Sequence, residues 1–276
     1  MIRLIVNADD LGSGPQRDRG IFAACQHGIV TSASLLANGP GFSVAAREVR
    51  ACGLPVGVHL NLSQGRPLAG AIPGLTDAAG DFPGKAVLRA RLLAGNCDRI
   101  ALRRELLAQI EHVRAAGLTP DHLDTHQHCL LFPSLTGLIA EVAELSGIRA
   151  LRLPQPAEPA GSDPVGAAGR EMALYRRLAP AARQVLHSAG MWLPQGLWGM
   201  PLLNRLDAAT LSATLAAIPE GTWELMTHPG YPDPRDPFGG PPRAAELAAL
   251  TDPESGRLLS ARGIERTSFG ACTCAC

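Results

Sequence analysis

The sequence of residues 2–28 is IRLIVNADDLGSGPQRDRGIFAACQHG, in which a short apolar run ends in two neighbouring aspartates and is followed by a helical pattern. The run over residues 2–8 is rich in Ile, Leu and Val, which is typical of a buried strand. Residues 16–27 place apolar side chains on one face, and Gly28 suits the position after a helix. The segment therefore predicts a strand followed by a helix.

The same alternation continues along the chain. Further strands are predicted over residues 30–37, 56–62, 122–128, 148–153, 223–227 and 263–269. Further helices are predicted over residues 43–52, 98–116, 133–146, 170–189 (kinked or split at Pro180), 208–218 and 243–250. Because no hairpin dipeptides join the strands, this order predicts a parallel sheet covered by helices.

Length and composition favour a single domain over residues 1–276. The chain is 46% hydrophobic and 18% charged, as in ordinary globular proteins. A barrel of about 250 residues would use nearly all of it. Three Gly- and Pro-rich segments are expected to be long loops, near residues 63–85, 154–169 and 229–242.

Charge and apolar runs exclude several classes of protein. Lys and Arg number 25, as do Asp and Glu, and no basic run occurs, so no nucleic acid and no anionic membrane is expected as a partner. A small neutral substrate is expected instead. The sequence contains no run of 18 apolar residues, so no membrane span is expected. It also shows no export signal, so we expect a cytoplasmic protein with reduced thiols. Two interpretations of the Cys272, Cys274 and Cys276 tail stay open, a soft-metal site and a frayed terminus.

Polar side chains that bind metals or move protons follow several predicted strands. In a parallel barrel the carboxyl ends of the strands meet at one face, where the active site is built. The candidate residues at these ends are Asp9, Asp10, His59, Asn61, Asp124, His126, His128, Arg152 and His228. Together they would provide a metal site of Asp and His with a spare carboxylate and a spare histidine, which suits metal-assisted hydrolysis.

The motif His126-Gln-His128 is a metal signal, because side chains two apart on a strand point to one face and imidazole is a common ligand. Asp124 would lie on that face and could orient one imidazole. Arg152 could be a surface charge, or it could hold a carboxylate or a substrate oxygen.

Taken singly, other candidates have ordinary structural interpretations. Asp9 and Asp10 could cap a helix or form a turn. His59 could be a core histidine, and His228, before Pro229-Gly230, could be a turn residue.

Other catalytic templates are absent from the sequence. No G-x-S-x-G motif marks a nucleophile elbow, and Arg17 occupies the place of the third glycine in a dinucleotide fingerprint. Residues 80–85 have the wrong spacing for a phosphate loop.

Five motifs in order resemble the YdjC-like carbohydrate deacetylases, also called ChbG-type chitooligosaccharide deacetylases. They cover most of the chain, up to Tyr231. The motifs are Asn7-Ala-Asp-Asp-Leu-Gly12, Gly28-Ile-Val-Thr-Ser-Ala-Ser34, Gly57-Val-His59, His122-Leu-Asp-Thr-His-Gln-His128 and Thr227-His-Pro-Gly-Tyr231.

The resemblance implies an α/β fold, a distorted (β/α) barrel with mostly parallel strands, related to polysaccharide deacetylases. It implies one divalent ion, Mg²⁺ or Zn²⁺, held by Asp10, His59 and His126. It also implies Asp9 as general base, His228 as general acid, an acetylated sugar as substrate, and homodimers as a common state. Asn61, Asp124, His128 and Arg152 are left as substrate-binding or supporting residues.

The expected function is therefore metal-dependent removal of an N-acetyl group from an N-acetylglucosamine-containing sugar, with release of acetate. The alternatives are another metal-dependent barrel hydrolase, of the amidohydrolase or phosphoesterase type, and a non-catalytic sugar-binding relative. Four aromatic residues could stack on a sugar or pack in the core, namely Trp192, Trp198, Trp223 and Tyr231.

Overall fold

The computed structural model describes residues 1–273, so Cys274 and Cys276 lie outside the described residues. Within residues 1–273, eight strands form one sheet, and each pair of neighbouring strands is parallel. The strands are β1 (Ile2–Leu11), β2 (Ser32–Leu35), β3 (Val56–Leu60), β4 (His122–Thr125), β5 (Ala150–Leu151), β6 (Leu197–Trp198), β7 (Gly221–Thr227) and β8 (Ile264–Thr267).

Helices cover the sheet, and most of them connect one strand to the next. In the part of the chain that the structure describes, the α-helices are α1 (Pro15–His27), α2 (Phe42–Cys52), α3 (Lys85–Ala94), α4 (Arg99–Ala115), α5 (Pro133–Leu145), α6 (Ala167–Ser188), α7 (Ala208–Ala217), α8 (Pro241–Thr251), α9 (Pro253–Ala261) and α10 (Phe269–Thr273). None of these helices is long and apolar enough to cross a membrane.

The sheet is curled, with β1 at its centre. The strand order is β5-β4-β3-β2-β1-β7-β6, and β8 pairs with the first half of β1. Isolated parallel bridges, Ala150–Trp192 and Pro156–Leu197, connect the regions of the two edge strands. The prediction of a distorted (β/α) barrel with mostly parallel strands is confirmed.

Several elements differ from the sequence-based expectation. The strand predicted over residues 122–128 is wrong beyond Thr125, because Gln127 and His128 take left-handed backbone angles, φ 56° and 60°, in a short 3₁₀ segment. The helix containing Pro180 is one continuous element. Among the strands and α-helices of residues 1–273, four had not been predicted, namely β6, α3, α9 and α10.

The short helix α10 packs near the starts of the strands. Phe269 is fully buried and stacks on His122 with ring centroids 3.9 Å apart, and Cys272 is buried beside it. Phe269 and Cys272 pack with Ile5 and Ala150 in a small apolar cluster separate from the main core. The frayed-terminus interpretation is therefore wrong for Cys272, and α10 covers the end of the barrel opposite the carboxyl ends of the strands.

A register shift in β1 allows two adjacent carboxylates to reach the same end of the barrel. The pairing of β1 with β2 is irregular between Ala8 and Leu11, and Asp10 within this interval has a φ of 67°. Adjacent side chains of a regular strand point to opposite faces. The left-handed conformation of Asp10, which Asp tolerates better than most residues, breaks that alternation.

Candidate active site

Asp10, His59 and His126 bring three donor atoms together at the carboxyl ends of β1, β3 and β4. Asp10 Oδ1 lies 3.5 Å from His59 Nε2 and 3.1 Å from His126 Nδ1, and the two imidazole nitrogens are 3.2 Å apart. Donors that bind one ion at about 2.0–2.2 Å must lie within about 4.4 Å of each other. All three separations meet that condition, so the donors are close enough to share a single ion.

Asp124 orients His59 toward this cluster. His59 Nδ1 donates to Asp124 Oδ2 at 2.9 Å, which leaves Nε2 directed at Asp10. Burial alone would lower the pKa of His59, but Asp124 and Asp10 outweigh it and raise the pKa to about 10. Asp10 Oδ1 is buried and accepts no hydrogen bond. A divalent cation fits this donor set, because a carboxylate oxygen and imidazole nitrogens are ligands of such ions, and the buried Asp10 Oδ1 is left without a hydrogen-bond donor.

Asp9 is held differently from Asp10. Arg152 Nη1 and Nη2 donate to the two carboxylate oxygens of Asp9, each at 2.6 Å, and Asn7 Nδ2 donates to Oδ1 at 2.8 Å. Burial would raise the pKa of Asp9, but the Arg152 guanidinium outweighs it and holds the pKa below its ordinary value. Asp9 is therefore an ionised, fixed carboxylate that is still part of the cavity wall.

A second cluster, Asp9, His59 and Asp124, also has its donor atoms within reach of one ion. Arg152 Nη1 lies 2.6 Å from both Asp9 Oδ2 and Asp124 Oδ2. The guanidinium already neutralises these carboxylates and would repel a cation there. Of the two clusters, the one built on Asp10 is therefore the better metal site.

Arg152 is fully buried, and the side-chain hydrogen bonds and ion pairs of its guanidinium all go to carboxylates. Besides Asp9 and Asp124, its Nη2 lies 2.6 Å from Glu224 Oε1. Arg152 does not line the cavity, so the interpretations as a surface charge and as a substrate contact are wrong. Arg152 instead holds the carboxylate of Asp9 in one orientation.

His228 faces the cluster from the end of β7. Its Nε2 lies 3.9 Å from Asp9 Oδ2, and its ring packs edge-to-face on Phe238 at 5.4 Å between centroids. Glu246 and Arg243 of α8 fix its backbone, since the amide donates to Glu246 Oε1 at 2.7 Å and the carbonyl accepts from Arg243 Nη1 at 3.1 Å. Burial is the main cause that lowers the pKa of His228, to about 3, so the ring is neutral.

Two sequence candidates lie elsewhere than expected. His128 does not share a face with His126, because the left-handed turn at residues 127 and 128 directs it to Tyr175, with ring centroids 5.3 Å apart. It still lines the cavity. Asn61 does not line the cavity; its side chain bonds Asn38 Oδ1 and the backbone of residues 63 and 64. Asn61 therefore supports a loop.

The cavity beside the Asp10 cluster has a volume of about 760 Å³, within the range of small-molecule sites. Asp9, Asp10, His59, His126 and His228 form one part of its wall. None of the three tryptophans lines it, and Trp198 packs against Trp223 instead. Tyr231 lines a smaller neighbouring cavity of about 290 Å³.

Sequence reasoning missed part of the cavity wall. These residues come from helices and long loops, where the sequence did not indicate which side chains reach the cavity. They are Arg17, Lys85, Glu171, Tyr175, Asn204 and Phe238. The Gly- and Pro-rich composition of residues 229–242 was the only signal, and it marked a loop without indicating which side chains reach the site.

Comparison with known proteins gives consistent matches over almost the whole chain. The model of the family described as YdjC-like protein matches residues 3–261. The carbohydrate deacetylase of Homo sapiens is 36% identical, covering 96% of this chain and 89% of its own. The chitooligosaccharide deacetylase of Serratia marcescens is 32% identical, covering 96% of this chain and 97% of its own.

Solved structures share the fold, and one of them is an Enterococcus faecalis V583 protein that carries the provisional name of cellobiose-phosphate cleavage protein. The TM-score is 0.76 at 24% identity, and the match covers 97% of each chain.

Proposed function

The chain belongs to the YdjC-like protein family, and on that premise we propose that it is a metal-dependent hydrolase that removes the N-acetyl group of an amino sugar. The substrate would be a mono- or oligosaccharide that contains N-acetylglucosamine. The observation that carries the proposal is the convergence of Asp10, His59 and His126 beside a second carboxylate and a neutral imidazole. The human relative is named a carbohydrate deacetylase and the Serratia relative a chitooligosaccharide deacetylase, and both names support removal of an acetyl group from a sugar.

We propose Asp10, His59 and His126 as the ligands of one divalent ion. When bound, such an ion supplies polarisation of the acetyl oxygen and a lower pKa for water. Two imidazoles in the set favour Zn²⁺ over Mg²⁺, which prefers oxygen ligands.

Asp9 is the proposed general base. It is ionised, and Arg152 and Asn7 hold it in one orientation at the cavity wall. A positioned base of this kind contributes roughly 10²–10⁴-fold to a hydrolysis. It would take the proton from the attacking water.

His228 is the proposed general acid. The amine of a sugar is too basic to leave as an anion, so its nitrogen needs a proton as the bond to carbon breaks. His228 Nε2 lies 3.9 Å from Asp9 Oδ2, which is beyond hydrogen-bond distance, so the proton that Asp9 has taken would reach the neutral ring through one bridging water. It would then donate that proton to the amine, so that the proton from water ends on the product.

Acetate release from a panel of sugars tests this function. The purified protein should release acetate and free amino sugar in equal amounts from N-acetylglucosamine or its oligomers. Acetyl esters and phosphate esters in the same panel test the other hydrolase classes. Asp9→Asn should lose the activity, and His187→Ala, which changes an exposed histidine of α6, should keep it. Sugar binding without acetate release would favour the non-catalytic alternative.

A further inference from the structure

Arg17 is a buried cation in the wall of the catalytic cavity. It lies in the first turn of α1, yet its exposed fraction is only 4%. Its Nη2 donates to Asp236 Oδ2 at 3.2 Å and to the Phe238 carbonyl at 3.3 Å. The guanidinium also lies over the Phe238 ring, 4.8 Å from its centroid. One side of the group is therefore fixed by the loop between β7 and α8.

The other side of Arg17 is not satisfied. Its Nη1 is buried and has no hydrogen-bond partner. Nη1 lies 3.9 Å from Asp10 Oδ2, which is too far for a hydrogen bond. A buried charged donor without an acceptor is costly, so a group that enters the cavity is the natural acceptor.

Other cations of the cavity do not offer such a donor. Lys85 Nζ lies 2.6 Å from Glu171 Oε1, and Arg205 is exposed at the cavity rim. Arg152, the cation that the sequence had suggested for a substrate oxygen, is surrounded by carboxylates. Among the cavity-lining residues that the structure describes, Arg17 alone combines positive charge, burial and a free N–H beside the proposed ligand Asp10.

We propose that Arg17 is a catalytic residue that binds the acetyl oxygen through Nη1 as that oxygen becomes negatively charged, and then binds the acetate product. This inference rests on the proposed function. When the water oxygen bonds to the acetyl carbon, the electron pair of the C=O double bond moves to the acetyl oxygen. When the C–N bond breaks, that pair re-forms the double bond and the nitrogen keeps the bonding pair and takes a proton. Acetate and a free amine remain.

A cation fixed on one side and open on the other suits this role. Donors that are already oriented toward developing charge need no reorganisation during the reaction, and one such donor is worth roughly 10²–10³-fold in kcat. A carboxylate such as acetate gains a charge-assisted hydrogen bond from the same N–H.

The test compares Arg17→Met and Arg17→Lys with Arg19→Met, which removes an exposed arginine of the same helix. The Arg17→Met variant should lose about 10²–10³-fold in kcat with KM changed little. Its affinity for sodium acetate, measured by calorimetry, should fall roughly 10–100-fold, as expected for the loss of a charged hydrogen bond. Metal content and melting temperature should match those of the wild type. Arg17→Lys should recover part of the acetate affinity, and Arg19→Met should behave as wild type.

An unchanged acetate affinity in Arg17→Met would overturn the proposal. A loss of kcat that is explained by a lower metal content would overturn it as well. Acetate binding does not require turnover, so the two proposals fail separately. Wild-type protein that binds acetate through Arg17 but hydrolyses no acetylated sugar contradicts the proposed function alone. If Arg17→Met hydrolyses acetylated sugars as fast as the wild type, the role of Arg17 is contradicted but the proposed function is not.

Discussion

Arg152 donates hydrogen bonds to both carboxylate oxygens of Asp9, with each N–O distance 2.6 Å. The adjacent Asp10 instead faces the imidazoles of His59 and His126. The two neighbouring carboxylates thus have separate electrostatic environments. A guanidinium neutralises Asp9, whereas Asp10 keeps one buried oxygen without a hydrogen-bond donor. This difference supports Asp9 as base and Asp10 as ligand, and it can be tested at each position.

The amide variants of the two aspartates should fail differently. Asp9→Asn keeps the size of the side chain but cannot take a proton, so kcat should fall by roughly 10²–10⁴ with metal affinity nearly unchanged. Asp10→Asn replaces an anionic ligand by a neutral one, so it should bind metal weakly and recover activity in excess metal. Metal titration of both variants measures this. If excess metal instead restores the activity of Asp9→Asn, then Asp9 is the metal ligand and Asp10 the base.

Asp124 should matter for metal affinity although it is not a proposed ligand. Its hydrogen bond fixes the His59 ring so that Nε2 points at the cluster. Asp124→Asn should weaken metal binding by about 10–100-fold, the usual effect of losing such a partner. Competition with a chelating dye gives the affinity. Asp207→Asn, at the exposed start of α7, serves as the control, and equal affinities in the two variants would contradict the role.

His228→Ala separates a proton donor from a structural residue. An amide has a strongly basic leaving group, so its turnover should fall by roughly 10²–10⁴ without the general acid. An activated acetyl ester has a weakly basic leaving group and should lose much less. Steady-state kinetics on both substrates measures the ratio. If the two substrates lose activity equally, His228 does not act as the acid.

Gly20 allows the close approach that positions His228. A Cβ added at Gly20 would lie 2.4 Å from the Gly230 Cα, in the loop that follows His228. Gly20→Ala should therefore destabilise the fold by about 1–3 kcal/mol through overpacking and reduce activity by moving His228.

The control for Gly20 is Gly137→Ala in α5, where an added Cβ meets nothing within 4 Å. That change should stabilise the protein by about 0.5–1 kcal/mol. Chemical denaturation measures both variants. Equal stabilities would show that the contact between residues 20 and 230 is not tight.

Much of the fold could be predicted because its strands are apolar runs bounded by Gly or polar residues, as in β1 and β3. The unpredicted β6 has two residues and α10 has five, which is too short for a periodic pattern to be measured. The barrel closes through isolated bridges such as Pro156–Leu197, which no local pattern indicates.

The candidate site could be predicted in composition but not in orientation. Asp10, His59 and His126 were found because polar residues follow the strands and because of the family resemblance. Which of the two aspartates faces the cluster depends on the φ of 67° at Asp10, and the position of His128 depends on a left-handed turn. Arg17 and Phe238 reach the cavity through tertiary contacts between a helix start and a distant loop.

The most direct test of the central claim is acetate release by one protein sample before and after metal removal. The wild-type protein should lose turnover of an N-acetylglucosamine oligomer after exhaustive chelation. One equivalent of Zn²⁺ should restore it, and Mg²⁺ should restore it less well. His59→Ala, treated in the same way, should bind the ion poorly and stay inactive. Full activity of metal-stripped wild-type protein would contradict the account.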